Sequence, residues 1–170
     1  MGYTHYWKRP RNNYGTAEMF GRLALDAKKI IAQAELDGIR IRDGFGEGEP
    51  NFNEAFFAIN GDTNAHTPDG RDLAHETFLW EGVPTIDEWR KDEPQTFDFC
   101  KTAYKPYDAV ITAILIRAKK IYGECVKVSS DGNWSKSERW GDYGNWLAGR
   151  NLYERVFGEV AESPFDMVCL

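Results

Sequence analysis

Apolar positions recur at two spacings along this chain, and the change from one to the other predicts the order of its elements. Tyr3, His5 and Trp7 fall on one side of a short stretch and Thr4 and Tyr6 on the other, the period-two signature of a strand. Further on the period lengthens. Met19, Phe20, Leu23, Ala27, Ile30, Ile31 and Ala34 follow helical spacing, with Thr16 placed as N-cap and Gly38 just past the end. Ile39-Arg40-Ile41-Arg42 alternates again and predicts a half-buried strand, and a glycine-rich loop runs from Asp43 to Pro50. Glu54 to Asn60 and Glu76 to Trp80 predict two strands paired antiparallel, because the polar turn between them, Gly61 to Gly70, carries no helix signal.

Glu81 to Gln95 is acidic and broken by prolines, with a short helical turn expected around Ile86 to Trp89. Thr96 to Cys100 predicts another strand. Lys105-Pro106 opens a second long helix that Gly123 ends. Its stripe of Tyr107, Val110, Ile111, Ile114, Ala118 and Ile121 is widened by Leu115 and Ile116, which predicts the more buried helix. Cys125 to Val128 reads as a strand, and Asn145 to Val160 as a third helix. The order β-α-β-β-β-β-α-β-α predicts an α+β fold. It would be a mostly antiparallel sheet of about five to six strands carrying two long amphipathic helices and a third, C-terminal one. No repeat or long linker divides the chain, so residues 1–170 read as a single domain.

Composition narrows the function more than the fold. Apolar residues make up 42% and charged residues 28%, ordinary proportions for a folded domain. The aromatic share of 14% exceeds what a core of this size needs and hints at a stacking surface. A net charge of −6 with scattered Lys and Arg argues against long nucleic acid as a partner, while a small anionic ligand held by a few cations fits. Three cysteines without a C-x-x-C pair support neither a disulfide framework nor a zinc site. No apolar run approaches a membrane span and no leader pattern opens the chain, so the expected compartment is the cytoplasm, with no membrane partner.

Four blocks carry a family resemblance: Met1-Gly2-Tyr3-Thr4-His5-Tyr6-Trp7; Ile59-Asn60-Gly61-Asp62 with His75-Glu76-Thr77-Phe78; Phe99-Cys100-Lys101-Thr102-Ala103-Tyr104-Lys105-Pro106-Tyr107-Asp108; and Ser129-Ser130-Asp131-Gly132. Together they resemble a family met in bacteriophages, plasmids and some bacterial genomes. The chain departs from that pattern at Tyr104, where the family carries Arg, so a charge that could meet a ligand is missing. The resemblance implies a mobile-element context and a host-interaction or counter-defence role; it implies no particular chemistry. In a phage the compartment would be the host cytoplasm.

Each of these blocks lies in or beside a predicted strand. His5, Trp7, Asn60, Asp62, His75, Lys101, Lys105, Ser130 and Asp131 are therefore the candidate ligand-binding residues, suited to a polar, phosphorylated or nucleotide-like ligand. Each block also reads as turn or cap residues, Ser-Ser-Asp-Gly above all. His75, Glu76 and Asp131 are the acid and base candidates of an alternative reading, a hydrolase of phosphoester or glycosidic bonds. His75-Glu76-Thr77 supplies one H-x-T element where two-histidine phosphoesterases need two. His75, Asp62 and Asp131 lack the short spacing of metal ligands, and neither a metal nor a cofactor is expected. Cys100 beside Lys101 reads as an activated thiol or an inert strand-end residue. Trp134, Trp140, Tyr143 and Trp146 read as a core corner or a stacking wall. A third reading is a protein-interaction module with a host protein as partner. The leading expectation is a non-enzymatic binder; oligomeric state is not legible.

Overall fold

The computed structural model describes residues 2–134 and 146–166. The elements follow the expected order: β1 (Thr4–Lys8), α1 (Ala17–Leu36), β2 (Asn51–Phe52), β3 (Phe56–Ile59), β4 (Phe78–Glu81), β5 (Asp98–Lys101), α2 (Asp108–Tyr122), β6 (Lys127–Ser130) and α3 (Leu147–Phe157). The fold is α+β, and every strand pairing is antiparallel. The strands divide into two three-stranded sheets, ordered β5-β1-β6 and β2-β3-β4.

The sheets meet along β4 and β5 without a ladder. Glu76 links them there: its N–H donates to the Lys101 carbonyl at 3.2 Å and its carboxylate accepts the Lys101 N–H at 2.8 Å. Arg9 makes the second link. Its guanidinium lies 4.9 Å from the Trp80 ring and donates to the Glu81 carbonyl at 2.8 Å.

The helices pack around α2, whose residues from Ala109 to Ala118 are all buried. A helix enclosed by a sheet and two other helices needs apolar residues around most of its circumference, hence the widened stripe. An ion pair lies inside the helix layer. Arg117 Nε meets Asp26 at 2.7 Å, and Arg117 Nη1 meets Glu159 at 3.2 Å. Burial opposes ionisation of Asp26, but hydrogen bonds from Lys29 and Arg117 hold its carboxyl below the usual range.

Three local expectations are corrected. Ile39 to Arg42 forms no strand, only an isolated bridge between Arg42 and Asn60, and the Ile41 N–H donates to the Glu35 side chain of the preceding helix at 3.2 Å. A short strand lies instead at Asn51–Phe52, with Asn53 accepting the Ala55 and Phe56 N–H groups to make the hairpin turn before β3. The second long helix begins at Asp108, three residues after Lys105. Ala103 and Tyr104 ahead of it both have positive φ, 50° and 61°, which no helix tolerates.

Candidate functional site

β1 has two faces, and each carries a different constellation. On the inner face His5 is 0% exposed. Its Nδ1 lies 2.8 Å from the Ser130 hydroxyl on β6, and its Nε2 lies 2.7 Å from Asp108 Oδ1 at the start of α2. The same Asp108 oxygen accepts the Thr102 hydroxyl at 2.5 Å. A carboxylate can only accept, so Nε2 carries a proton; in the neutral ring Nδ1 then accepts the Ser130 O–H. The Ser130 oxygen in turn accepts the Gly132 N–H at 2.9 Å and the Trp146 Nε1–H at 3.2 Å. Both of its lone pairs are thus engaged. Asp108 sits in the first turn of α2, where the helix dipole favours a negative charge. The relay joins β1, β6 and α2, and Tyr3 and Trp146 close it edge-on at 5.0 and 5.2 Å.

Two expected site residues, His5 and Ser130, meet in this relay. Asp131 is adjacent: its N–H donates to the Thr4 carbonyl, and its carboxylate accepts the Thr4 N–H at 3.0 Å. Thr4 faces Lys101 across β5, so Lys101 and Asp131 flank one residue at the same end of the sheet. Asp108 and Thr102 complete the relay. In the sequence Asp108 stands only as the last residue of one of the four blocks, and nothing in the spacing joins it to His5.

The remaining candidates lie elsewhere. Trp7 is a core residue, stacked 5.9 Å from Trp80 and 4.9 Å from Phe78, with no face free for a ligand. Asn60 holds the β3–β4 connection together: its Oδ1 accepts the Gly61 and His75 N–H groups, and its Nδ2 donates to the Gly44 and His75 carbonyls. Gly61 passes so close to the Leu73 carbonyl that a Cβ would sit 2.0 Å from its oxygen. Asp62 is buried. Its burial opposes ionisation, but the Asn64 N–H and the guanidinium groups of Arg42 and Arg40 hold the carboxyl low. Lys105 is engaged with Asp72.

His75 is exposed, and the Glu76 carboxylate is occupied by the Lys101 N–H. Among the described residues no hydrogen bond links His75, Glu76 and Asp131 to one another, and Asp62, His75 and Asp131 do not share a position for a metal. Cys100 is enclosed, and burial pushes its thiol up, away from the reactive thiolate. Trp146 belongs to the core while Trp134 is only half buried. Trp140 and Tyr143 lie outside the described residues.

The outer face of the sheet holds the second constellation. Lys8 on β1 and Lys127 on β6 are directly opposite in the ladder. Beside them opens a cleft of about 470 Å³, lined among others by Lys8, Lys127, Ser130, Trp134, Phe165 and Asp166. Its aromatic walls are held from behind. The Arg150 guanidinium lies 4.5 Å from the Trp134 ring, and Phe165 meets Trp146 edge-on at 4.9 Å. Asp166 is committed to Lys119 at 3.0 Å. Among the described residues neither Lys8 nor Lys127 forms an ion pair. Only strand register brings these two lysines together, and for that reason they escape a reading of the sequence.

No family model, curated protein or solved structure matches this chain. Its chemistry is therefore read from its own geometry. Among the described residues no helix is long and apolar enough to cross a membrane, and no group of three or more His, Cys, Asp or Glu side chains could hold a metal ion.

Proposed function

We propose that the protein binds a small anionic ligand carrying a flat ring, of the nucleotide class, in the cleft beside β6. The observation that supports this reading is the pair Lys8–Lys127. Two like charges opposite each other in an antiparallel ladder repel. An anion between them removes the repulsion and gains two charge-assisted contacts. Trp134 and Phe165 supply ring faces of the kind that aromatic bases stack on. At about 470 Å³ the cleft is the size of an ordinary small-molecule site.

Such binding suits a phage-type accessory protein acting in the host cytoplasm, where sequestering a nucleotide-like molecule is a host-interaction or counter-defence function. A thermal-denaturation screen over nucleotides tests it. The reading expects a rise in Tm with nucleotides and none with the corresponding nucleosides, and the rise should vanish in Lys127→Glu. An equal response to nucleoside and nucleotide contradicts it.

A second reading, hydrolysis of an ester held in the same cleft, is favoured by the Asp108–His5–Ser130 relay. It assigns the nucleophile to Ser130 and the base to His5, in place of His75, Glu76 and Asp131. Binding ranks first because the Ser130 oxygen already accepts two hydrogen bonds and would have to release one to attack. Labelling of the protein by a fluorophosphonate probe, lost in Ser130→Ala, would reverse that ranking.

A further inference from the structure

We infer that the natural ligand is a free dinucleotide, two base-bearing units joined through phosphate, laid across the outer face of the β5-β1-β6 sheet with Lys8 at its middle. This deepens the nucleotide reading and rests on it. Lys8 lines two concavities. One is the cleft of about 470 Å³ beside β6, and the other, of about 490 Å³, lies towards β5 and includes Arg90, Glu93, Thr96 and Phe97 in its lining.

Phe97 is the ring in the lining of the second concavity, and other rings neighbour it. Tyr6 and Phe97 stack at 5.9 Å, and Phe97 meets Phe99 at 6.1 Å. Lys8 Nζ lies 5.6 Å and the Arg90 guanidinium 4.7 Å from the centre of the Phe97 ring. Arg90 also packs 4.2 Å from Trp89. Rings of this size are normally covered, yet Trp89 is 74% and Phe99 52% exposed.

Charge complementarity selects the occupant. The chain carries −6 net, but Lys127, Lys8 and Arg90 follow one another across this face, and among the described residues none of them forms an ion pair. The acids in the two linings are Asp166, which Lys119 engages, and Glu93. A cationic middle between two ring-lined hollows matches a bridging phosphate between two bases. Three cations on an acidic molecule do not extend far enough to track a long strand, whose affinity depends on many phosphate contacts.

Isothermal titration tests this with the four 5′-mononucleotides, the four homodinucleotides pNpN and a 20-residue single strand of each base. The inference expects at least one dinucleotide to bind tenfold or more tighter than its mononucleotide, and the long strand to bind no tighter per site than the dinucleotide. Arg90→Ala and Phe97→Ala, each checked for an unchanged circular dichroism spectrum, should bring dinucleotide affinity down to the mononucleotide level and leave mononucleotide binding intact. Equal affinity for mono- and dinucleotide overturns the inference while sparing the nucleotide reading. Tighter, salt-steep binding of the long strand overturns it in favour of a nucleic-acid partner. Failure of all three ligand classes to bind removes both.

Discussion

Lys8 and Lys127 face one another across the β1–β6 ladder, two like charges on a solvent-facing surface with an open cleft beside them. The arrangement works against stability, since cross-strand partners of the same sign repel. Lys127→Glu converts the repulsion to attraction. The variant should be more stable than the parent by about 0.5 kcal/mol and should lose nucleotide binding, with urea denaturation and titration run side by side. A variant that is less stable and still binds would show that the lysines play neither part.

The relay behind that face makes a contrasting demand. Removing the Asp108 carboxylate leaves the His5 Nε2–H and the Thr102 hydroxyl without an acceptor in a buried setting. Asp108→Ala should cost about 2–3 kcal/mol. Asp108→Asn keeps an acceptor oxygen in place and should cost less. Equilibrium unfolding of both variants checks the order, and equal losses would mean that the hydrogen bonds contribute little.

Inside the helix layer Asp26 answers the buried Arg117 charge. Asp26→Ala leaves that guanidinium with only the partly exposed Glu159 as a charge partner, and a loss of about 3 kcal/mol is expected. Paired replacement of Asp26 and Arg117 by Leu and Met should lose much less. A double variant as unstable as the single one would place the cost in packing and not in the orphaned charge.

Asp98 gives the protein a pH signature. Burial lifts its carboxyl from 3.8 to about 6, although Arg9 pulls in the opposite direction. The folded state therefore holds this proton more tightly than the unfolded chain does. Its contribution is fully present below pH 4 and is lost as the pH climbs to about 6 and beyond, a fall of about 3 kcal/mol at most for the isolated group. Asp98→Asn should flatten that part of the stability profile, as measured by unfolding at a series of pH values. A slope that is unchanged in the variant would assign the titration to another group.

The sequence made the helices plain because a long 3.6-residue period leaves few alternatives: Thr16 caps α1 as expected, and the broad stripe of α2 did announce a helix buried on most sides. Five of the six strands were legible to within a few residues; β2, at Asn51–Phe52 and not at Ile39 to Arg42, was not. Nor was the partition of the strands, because pairing between Tyr6 and Phe99, or between Lys8 and Lys127, depends on which strand lies in the middle. The site suffered from the same gap. His5 in a predicted strand and Ser130 just after one stood out as polar residues, but their meeting with Asp108 follows from the order β5-β1-β6 and from a helix starting three residues late. Asn60 and Asp62 looked like ligand residues for a different reason. A loop that must satisfy its own buried backbone and charge uses the same side chains as a binding site does.

Amide chemical shifts followed during addition of a 5′-mononucleotide test the central claim most directly, since they report where the ligand sits whatever its affinity. The account expects the perturbed amides to cluster at Lys8, Lys127, Ser129, Ser130 and Trp134, around the like-charged pair. Shifts confined to the loop from Asn60 to Glu76, or no shifts at millimolar nucleotide, would contradict it.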